Sequence, residues 1–205
     1  MKKADKQKQS RKPTQIRQQE RIDAAMHILT SEGARQFTAE RLGKAVGITG
    51  GTIFRHFGSM DEILDGIVDR IEEIVFADFP PEDDSPIEQL RLFFEQRTLV
   101  ISKHPEISKL LLTGTLIPSG CSTTREKRLR EFKQRSRKFV IKCLKKAQED
   151  GLLAESISHE EGTFLVLGAI YAVGQMVISA EGLHGKDNLI ERIWYLLERS
   201  LTKIK

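Results

Sequence analysis

Cysteine and the larger aromatic residues are scarce in this chain. Its 205 residues include two cysteines, two tyrosines and one tryptophan. Cys121 and Cys143 form no CxxC pair and no Cys/His cluster, so the sequence predicts neither a disulfide framework nor a structural metal. We therefore expect a reduced, cytoplasmic protein, with redox sensing by an exposed Cys121 as an alternative.

Sequence motifs of catalysis are also missing. The chain contains no G-x-S-x-G, H-E-x-x-H, P-loop or dinucleotide-binding pattern, and no pair of carboxylates with a notable spacing. We predict that the protein is not an enzyme and holds no metal or other cofactor. The N-terminal segment lacks an apolar core, so it is not expected to be a signal peptide.

Positive charge is concentrated in two segments. The formal net charge is +4, but residues 1–21 carry a net charge of +6 and residues 125–146 one of +9. The remaining residues therefore sum to −11. Residues 1–13 are expected to form a disordered basic arm. The second segment has helical spacing, and its basic face is either simply solvated or a surface for nucleic acid or an acidic partner.

Helix boundaries can be predicted within residues 37–64, FTAERLGKAVGITGGTIFRHFGSMDEIL. Thr38 can N-cap a second helix that ends at Val46, because Gly47 suits the left-handed conformation that follows many helices. Thr49 can N-cap a third helix directly afterwards. Two helices of about eight residues at a glycine-containing corner are typical of a helix-turn-helix, whose second helix enters the major groove.

The third helix also shows which side faces inward. Ile53 and Phe57 are four residues apart and are expected in the core. Gly58 ends this helix, and Ser59 with Glu62 has the spacing of a capping box for the fourth.

Two adjacent glycines stand at the start of the third helix. Gly50 and Gly51 each cost about 1 kcal/mol of helix stability relative to alanine. Close approach of their backbone N–H groups to a DNA phosphate is a physical reason for them. The basic arm is then expected to lie on phosphates or in the minor groove, with a solubilising tail as the alternative.

The pattern T-x-x-x-L-x-x-x-x-G-I-T-x-G-T-I-F-R-H-F-x-S-x-x-E-I-L resembles the DNA-binding module of the TetR/AcrR family. Phe54 stands where many members carry tyrosine, Met60 stands where lysine is common, and Gly50 supplies no side chain at a base-reading place. Thr52 and Arg55 are left as the expected base readers, since arginine can pair bidentately with guanine. We predict the following DNA contacts: Thr38, Thr49, Gly50, Gly51, Thr52, Phe54, Arg55, His56, Lys12 and Arg17.

The resemblance implies an all-α protein with three parts. Residues 1–13 form the basic arm, residues 14–59 a three-helix helix-turn-helix DNA-binding domain, and residues 60–205 a helical ligand-sensing and dimerisation domain. It also implies a pocket for a small-molecule effector in the last part. Its expected lining, each member of which ordinary core packing also explains, is Phe93, Phe94, Arg97, Leu111, Thr115, Phe139, Phe164 and Met176.

Residues 161–182 form an almost unbroken apolar stretch that approaches bilayer-spanning length. Acidic flanks, Gln175 and a following amphipathic helix argue against this alternative, so no membrane partner is expected. Small residues permit close helix approach, and the family dimerises through its last two helices. The predicted homodimer interface contains Gly168, Ala169, Ala172, Ile193 and Leu197.

We predict a homodimeric, nucleoid-associated transcriptional repressor that binds a pseudo-palindromic DNA operator and is released by a small molecule. The alternative is a DNA-bound interaction protein controlled by a protein partner through the basic face of residues 125–146.

Overall fold

The structure is a computed structural model that describes residues 14–117, 123–179 and 188–203. Regular structure in these ranges is helical, apart from one isolated antiparallel bridge between Leu153 and Thr202. The helices are α1 (Thr14–Ser31), a 3₁₀ turn (Ala34–Gln36), α2 (Ala39–Ala45), α3 (Gly50–Ile53), α4 (Met60–Val75), α5 (Pro86–Lys103), α6 (Pro105–Thr113), α7 (Thr123–Glu149), α8 (His159–Ile178) and α9 (Leu189–Leu201). The predicted all-α fold is confirmed.

The chain divides into two compact units between Ile67 and Val68, inside α4. The sequence placed this boundary at residues 59 and 60. The first half of α4 belongs to the first unit because it packs on α1: a Cβ atom on Gly66 would lie 2.6 Å from Cδ1 of Ile22. Close packing of two helices, rather than the start of α4, therefore decides where the first unit ends.

The first unit has a small core built by the apolar faces of its helices. The α1 residues Ile22, Met26 and Leu29 are buried, as their helical spacing predicts. Leu42 of α2 and Ile53 of α3 are completely buried as well. Each short helix thus contributes one apolar face.

The start of α4 differs in detail from the predicted capping box. The Glu62 amide donates to Ser59 Oγ over 3.1 Å, as expected. The Glu62 carboxylate accepts from the amide of Gly58 rather than that of Ser59. The same two side chains therefore fix the turn one residue further upstream.

The second unit packs α5 against α7, α8 and α9, and α6 against α8. Its core includes Leu90 of α5, Val140 and Leu144 of α7 and Val166 of α8, all completely buried. Ser85 caps α5 ahead of a proline in the first turn, where the missing N–H costs nothing. A full capping box between Ser158 and Glu161 starts α8, where the hydrogen bonds from Ser158 lower the pKa of the Glu161 carboxyl.

Candidate functional site

The corner between α2 and α3 has the predicted geometry. Thr38 Oγ1 accepts from the amide of Arg41 over 3.1 Å and so caps α2. Gly47 has a φ of 73°, and the amide of Ile48 donates to the carbonyl of Gly43 over 2.9 Å. This bond, from an amide five residues further along the chain, is typical of the Schellman ending of a helix. It reverses the chain within a few residues.

Thr49 and Thr52 are joined by hydrogen bonds at the start of α3. Thr49 Oγ1 accepts from the Thr52 amide over 3.3 Å, which confirms the predicted cap. The two hydroxyl oxygens also lie 2.8 Å apart. Each hydroxyl keeps acceptor capacity. Thr49 therefore orients Thr52, one of the two expected base readers.

The third helix is shorter than the predicted eight residues. Its α-helical part is Gly50–Ile53, and the chain then winds more tightly. The amide of Arg55 donates to the carbonyl of Thr52 over 3.2 Å, and that of His56 to Ile53 over 3.0 Å. Such bonds to the third preceding residue belong to a 3₁₀ turn, which commonly ends short helices. Phe54, Arg55 and His56 are thus presented on a turn.

These side chains separate clearly into an inner and an outer set. Ile53 and Phe57 are buried, as predicted, whereas Phe54 is 47% exposed. Arg55 and His56 are exposed as well. Within the described chain neither side chain has an ion-pair or hydrogen-bond partner. Both are free to meet a ligand outside the protein.

Gly43 is a residue of the corner that the sequence interpretation missed. A Cβ atom there would lie 2.8 Å from the carbonyl oxygen of Ile48 and 2.9 Å from the amide nitrogen of Gly50. Both are backbone atoms and have little freedom to move. A glycine inside an otherwise regular helical pattern was the available signal.

The two glycines of α3 have different surroundings. A Cβ atom on Gly50 would lie 3.1 Å from the amide nitrogen of Glu40, so this glycine lets α3 pack on the start of α2. The predicted phosphate approach is therefore not needed to explain Gly50. A Cβ atom on Gly51 would meet nothing within 4 Å, and this residue is exposed.

The basic segment of residues 1–21 overlaps the start of α1. Lys12 lies outside the described residues, and Arg17 is half-buried on α1. Arg21, counted with the basic segment, is buried at 6% exposure. Burial, followed by the charge of Arg17, lowers the pKa of Arg21. Part of the positive charge therefore belongs to the helix rather than to a free arm.

An ion pair joins the turn after α1 to α2. Nε and Nη2 of Arg41 donate to the two carboxylate oxygens of Glu32 over 2.7 and 2.5 Å. This pairing lowers the pKa of the Glu32 carboxyl. Nothing in the sequence spacing indicated it, because the partners are nine residues apart and a 3₁₀ turn lies between them. The ion pair fixes α2, whose N-cap is the predicted DNA contact Thr38. Thr38 is exposed.

The residues predicted to line a pocket do not form one group. Phe93 and Phe139 are buried with ring centroids 5.2 Å apart, whereas Phe94 packs on Trp194 at 5.8 Å. Phe164 is 79% exposed, so it does not lie in the interior of the single chain, and its contact with a ligand stays a prediction. The other side chains are half-buried: Leu111, Thr115 and Met176.

Arg97 is the most unusual of these residues. Its side chain is buried at 7% exposure among the rings of Phe76, Phe79 and Phe93, whose centroids lie 4.7, 5.2 and 4.9 Å from its guanidinium carbon. Burial, and then the nearby charge of Arg135, lower the pKa of Arg97 to about 10. The group therefore stays charged at neutral pH.

The residues predicted at the dimer interface divide between two environments. Gly168 and Ala172 of α8 are exposed. Leu197 is buried in the core of the second unit, and Ala169 and Ile193 pack against that core, so these three are core residues of the single chain. The apolar residues that α8 and α9 expose are instead Phe164, Leu165, Tyr171, Tyr195 and Leu196.

Helix α8 is long and apolar enough to cross a membrane by length and composition. Of its apolar window, 28% is buried within the chain. Most of the apolar surface of α8 is therefore not covered by the described part of its own chain.

The sequence of the first unit matches a known family. Residues 22–67 match the family described as bacterial regulatory proteins, tetR family. The nucleoid occlusion factor SlmA of Haemophilus ducreyi is 36% identical over 67 residues, which are 32% of this chain and 33% of that protein. The chain thus spans about a third of the length of this relative.

The fold matches solved structures over most of both chains. The ketosteroid transcriptional regulator KstR2 of Mycobacterium tuberculosis has a TM-score of 0.77 at 18% identity, covering 92% of this chain and 96% of its own. AibR, solved in complex with isovaleryl coenzyme A and operator DNA, has a TM-score of 0.71 at 16% identity, covering 91% and 98%. At these identities the likeness concerns the fold. Residues 22–67 therefore have the sequence pattern of the tetR family of bacterial regulatory proteins, and the described chain has the fold of these solved regulators.

Proposed function

We propose that the protein is a homodimeric transcriptional repressor that binds a pseudo-palindromic operator and is released by a small organic ligand. The main support for DNA recognition is the exposed edge of the α2–α3 corner, which contains Arg55 and His56. Arg55 and His56 have no partner there within the described chain, and Thr52 is held by Thr49. An unpaired guanidinium next to a helix-turn-helix corner suits the bidentate contact to guanine.

Backbone contacts would position this edge. Gly51 is exposed and has open space around it, so its amide can approach a phosphate closely. Thr38 and Thr49 carry the hydroxyls at the two helix starts, where N–H groups favour anions. These contacts would fix the register, while Arg55 and Thr52 would read bases.

The homodimer is supported by the exposed apolar residues of α8 and α9. Phe164 and Leu165, with Tyr171 seven residues further, share one side of α8 with the exposed Gly168 and Ala172. Helix α9 contacts α8 and exposes Tyr195 and Leu196. Two copies pairing through these helices would form a four-helix bundle and remove the apolar side chains from water. Two-fold symmetry would then place two reading edges on a pseudo-palindromic site.

Effector release is supported by the continuity of α4. This helix contributes residues to both units, so a ligand that biases its last turn can also affect the first unit. A coupling of about 1–3 kcal/mol suffices to change operator occupancy severalfold or more. AibR, which shares the fold, was solved with both an acyl coenzyme A and operator DNA.

A second candidate is control by a protein partner. Along α7, five exposed cations have no ion-pair or hydrogen-bond partner within the described chain: Lys133, Arg137, Lys138, Lys142 and Lys145. The relatives named nucleoid occlusion factor share part of the sequence. A pull-down that is lost when Lys133 and Arg137 become alanine favours this candidate, provided that the exposed Lys103→Ala variant still captures the partner.

Transcription tests the repressor proposal directly. DNA fragments bound in the cell are mapped genome-wide, and a bound promoter is transcribed in vitro with and without the purified protein. We expect transcript to fall as protein is added and Arg55→Ala to require more protein. Increased transcript contradicts repression, while absence of any bound fragment contradicts operator recognition itself.

A further inference from the structure

Two buried nitrogen atoms of Arg97 make no hydrogen bond within the described residues. Its Nη1 donates to the carbonyl of Val75, the last residue of α4. Its Nε and Nη2 are buried and have no hydrogen-bond partner among the residues that the structure describes. A buried donor without a partner is costly, and a charged one more so. The hydrogen bonding of this guanidinium is therefore incomplete within the described part of the chain.

The two free nitrogens form one edge of the guanidinium. In Arg41 the same two atoms, Nε and Nη2, hold both carboxylate oxygens of Glu32. In Arg91, on the same helix as Arg97, they bind the carboxylate of Glu88. This parallel pair of donors fits a carboxylate bidentately. The unused edge of Arg97 has the geometry of a carboxylate-binding fork.

The surroundings of this edge favour an anion with an apolar body. Three phenylalanine rings enclose the guanidinium, and Phe139 packs on both Phe79 and Phe93. The nearby Arg135, which pairs with Glu72 at 2.7 Å, adds positive charge beside Arg97. Ring faces compensate part of a buried cation's lost hydration but supply no hydrogen-bond acceptor.

We infer that the Nε and Nη2 edge of Arg97 binds the carboxylate of an organic acid whose apolar part lies against Phe76, Phe79 and Phe93. The inference rests on the proposed effector-controlled function and names the class of the effector. Because Nη1 holds the last carbonyl of α4, an acid on the opposite edge acts on the residue that joins α5 to α4. A ligand bound to Arg97 would therefore be connected to the end of α4 through a single side chain.

The test measures binding by the full-length protein without DNA. Straight-chain acids from butanoate to palmitate, branched acids and arylacetic acids are each compared with the matching primary amide, which keeps shape but loses charge. Thermal shift and calorimetry are expected to detect at least one acid and to show its amide binding at least about tenfold more weakly. Equal binding of acid and amide, or no response to any acid, overturns the inference.

Variants and thioesters complete the test. Arg97→Lys keeps the charge but removes the fork, so it should weaken the acid at least about tenfold. The control Arg91→Gln, which removes a half-buried and already paired guanidinium, should leave binding unchanged. Unaltered binding by Arg97→Lys overturns the inference; if that variant does not fold, the acid and amide comparison decides alone. Binding of a coenzyme A thioester but not the free acid also overturns the carboxylate assignment.

Operator binding separates the two claims. If the protein binds a specific operator but no acid binds, the inference about Arg97 fails and DNA-dependent regulation stands. If an acid binds and no operator is found, the proposed function fails and the carboxylate site stands.

Discussion

The amide of Ile48 donates a hydrogen bond to the carbonyl of Gly43, 2.9 Å away, and this bond closes the corner between α2 and α3. The same corner leaves no room for a side chain at residue 43, since a Cβ atom would lie 2.8 Å from the Ile48 oxygen. The helix-turn-helix therefore depends on a glycine whose role is purely steric.

Gly43→Ala is expected to destabilise the protein by about 1–3 kcal/mol, because the new methyl group meets backbone atoms. Gly51→Ala is the matched control, since its Cβ atom meets nothing within 4 Å and alanine raises helix stability by up to about 1 kcal/mol. Chemical unfolding measures both changes. Equal stabilities of the two variants would contradict the steric role of Gly43.

Arg55→Ala should weaken binding to a specific operator by about 1–3 kcal/mol while changing nonspecific binding much less. Arg55→Lys separates the fork from the charge and should also lose base preference. Fluorescence anisotropy on operator and scrambled DNA measures the difference. The control Lys103→Ala removes one positive charge from an exposed residue of the second unit. A uniform loss on both DNAs would assign Arg55 to phosphate instead.

Phe164→Asp combined with Leu196→Asp should convert the dimer to a monomer, because each charge is introduced into the proposed interface twice by symmetry. The control Leu152→Asp changes an apolar residue that is 41% exposed in the turn after α7. Light scattering after size-exclusion chromatography measures the mass. An unchanged mass in the double variant would place the interface elsewhere.

Cys143 is expected to be unreactive. Burial raises the pKa of its thiol to about 11, and the thiol donates to Gln89 Oε1 over 3.4 Å. In a Cys121→Ser variant, Ellman's reagent at mildly alkaline pH should react slowly with native protein and fully after denaturation. Rapid native reaction would mean that the thiol is accessible.

The raised pKa of Cys143 also makes the free energy of unfolding depend on pH. Between the pKa values of about 9 unfolded and about 11 folded, the folded state retains a proton that the unfolded state loses. The free energy of unfolding therefore falls as pH rises through this window. Cys143→Ala should show a smaller fall than the parent over the same range.

Local chemistry made the helix ends predictable. Thr38 and Thr49 each satisfy a nearby amide, and Gly47 takes the left-handed conformation; these contacts involve neighbouring residues only. The length of α3 was missed because the amide of Phe57 still donates to the carbonyl of Ile53, four residues back, over 3.1 Å, so both side chains face inward although regular α-helix ends at Ile53. Contacts between separate segments, such as that of Arg41 in α2 with Glu32 in the turn after α1, leave no trace in sequence spacing.

The second unit was predictable in outline but not in detail. Helix α8 is apolar on nearly all sides, so spacing alone does not tell which side faces the core of its own chain. Phe164 was therefore assigned inward although it is 79% exposed. Leu197 was assigned to the interface although it is buried with α5 and α7. Arg97 was included as a lining residue, but its unsatisfied edge required three-dimensional contacts.

Operator selection tests the central claim most directly. The purified full-length protein selects from fragmented DNA of its own genome, and the bound fragments are sequenced and footprinted. We expect one pseudo-palindromic site with half-sites spaced by about one helical turn or a multiple of it, and we expect Arg55→Ala to lose binding to this site. Recovery of DNA without a shared sequence, or of an asymmetric site unaffected by Arg55→Ala, would contradict this expectation.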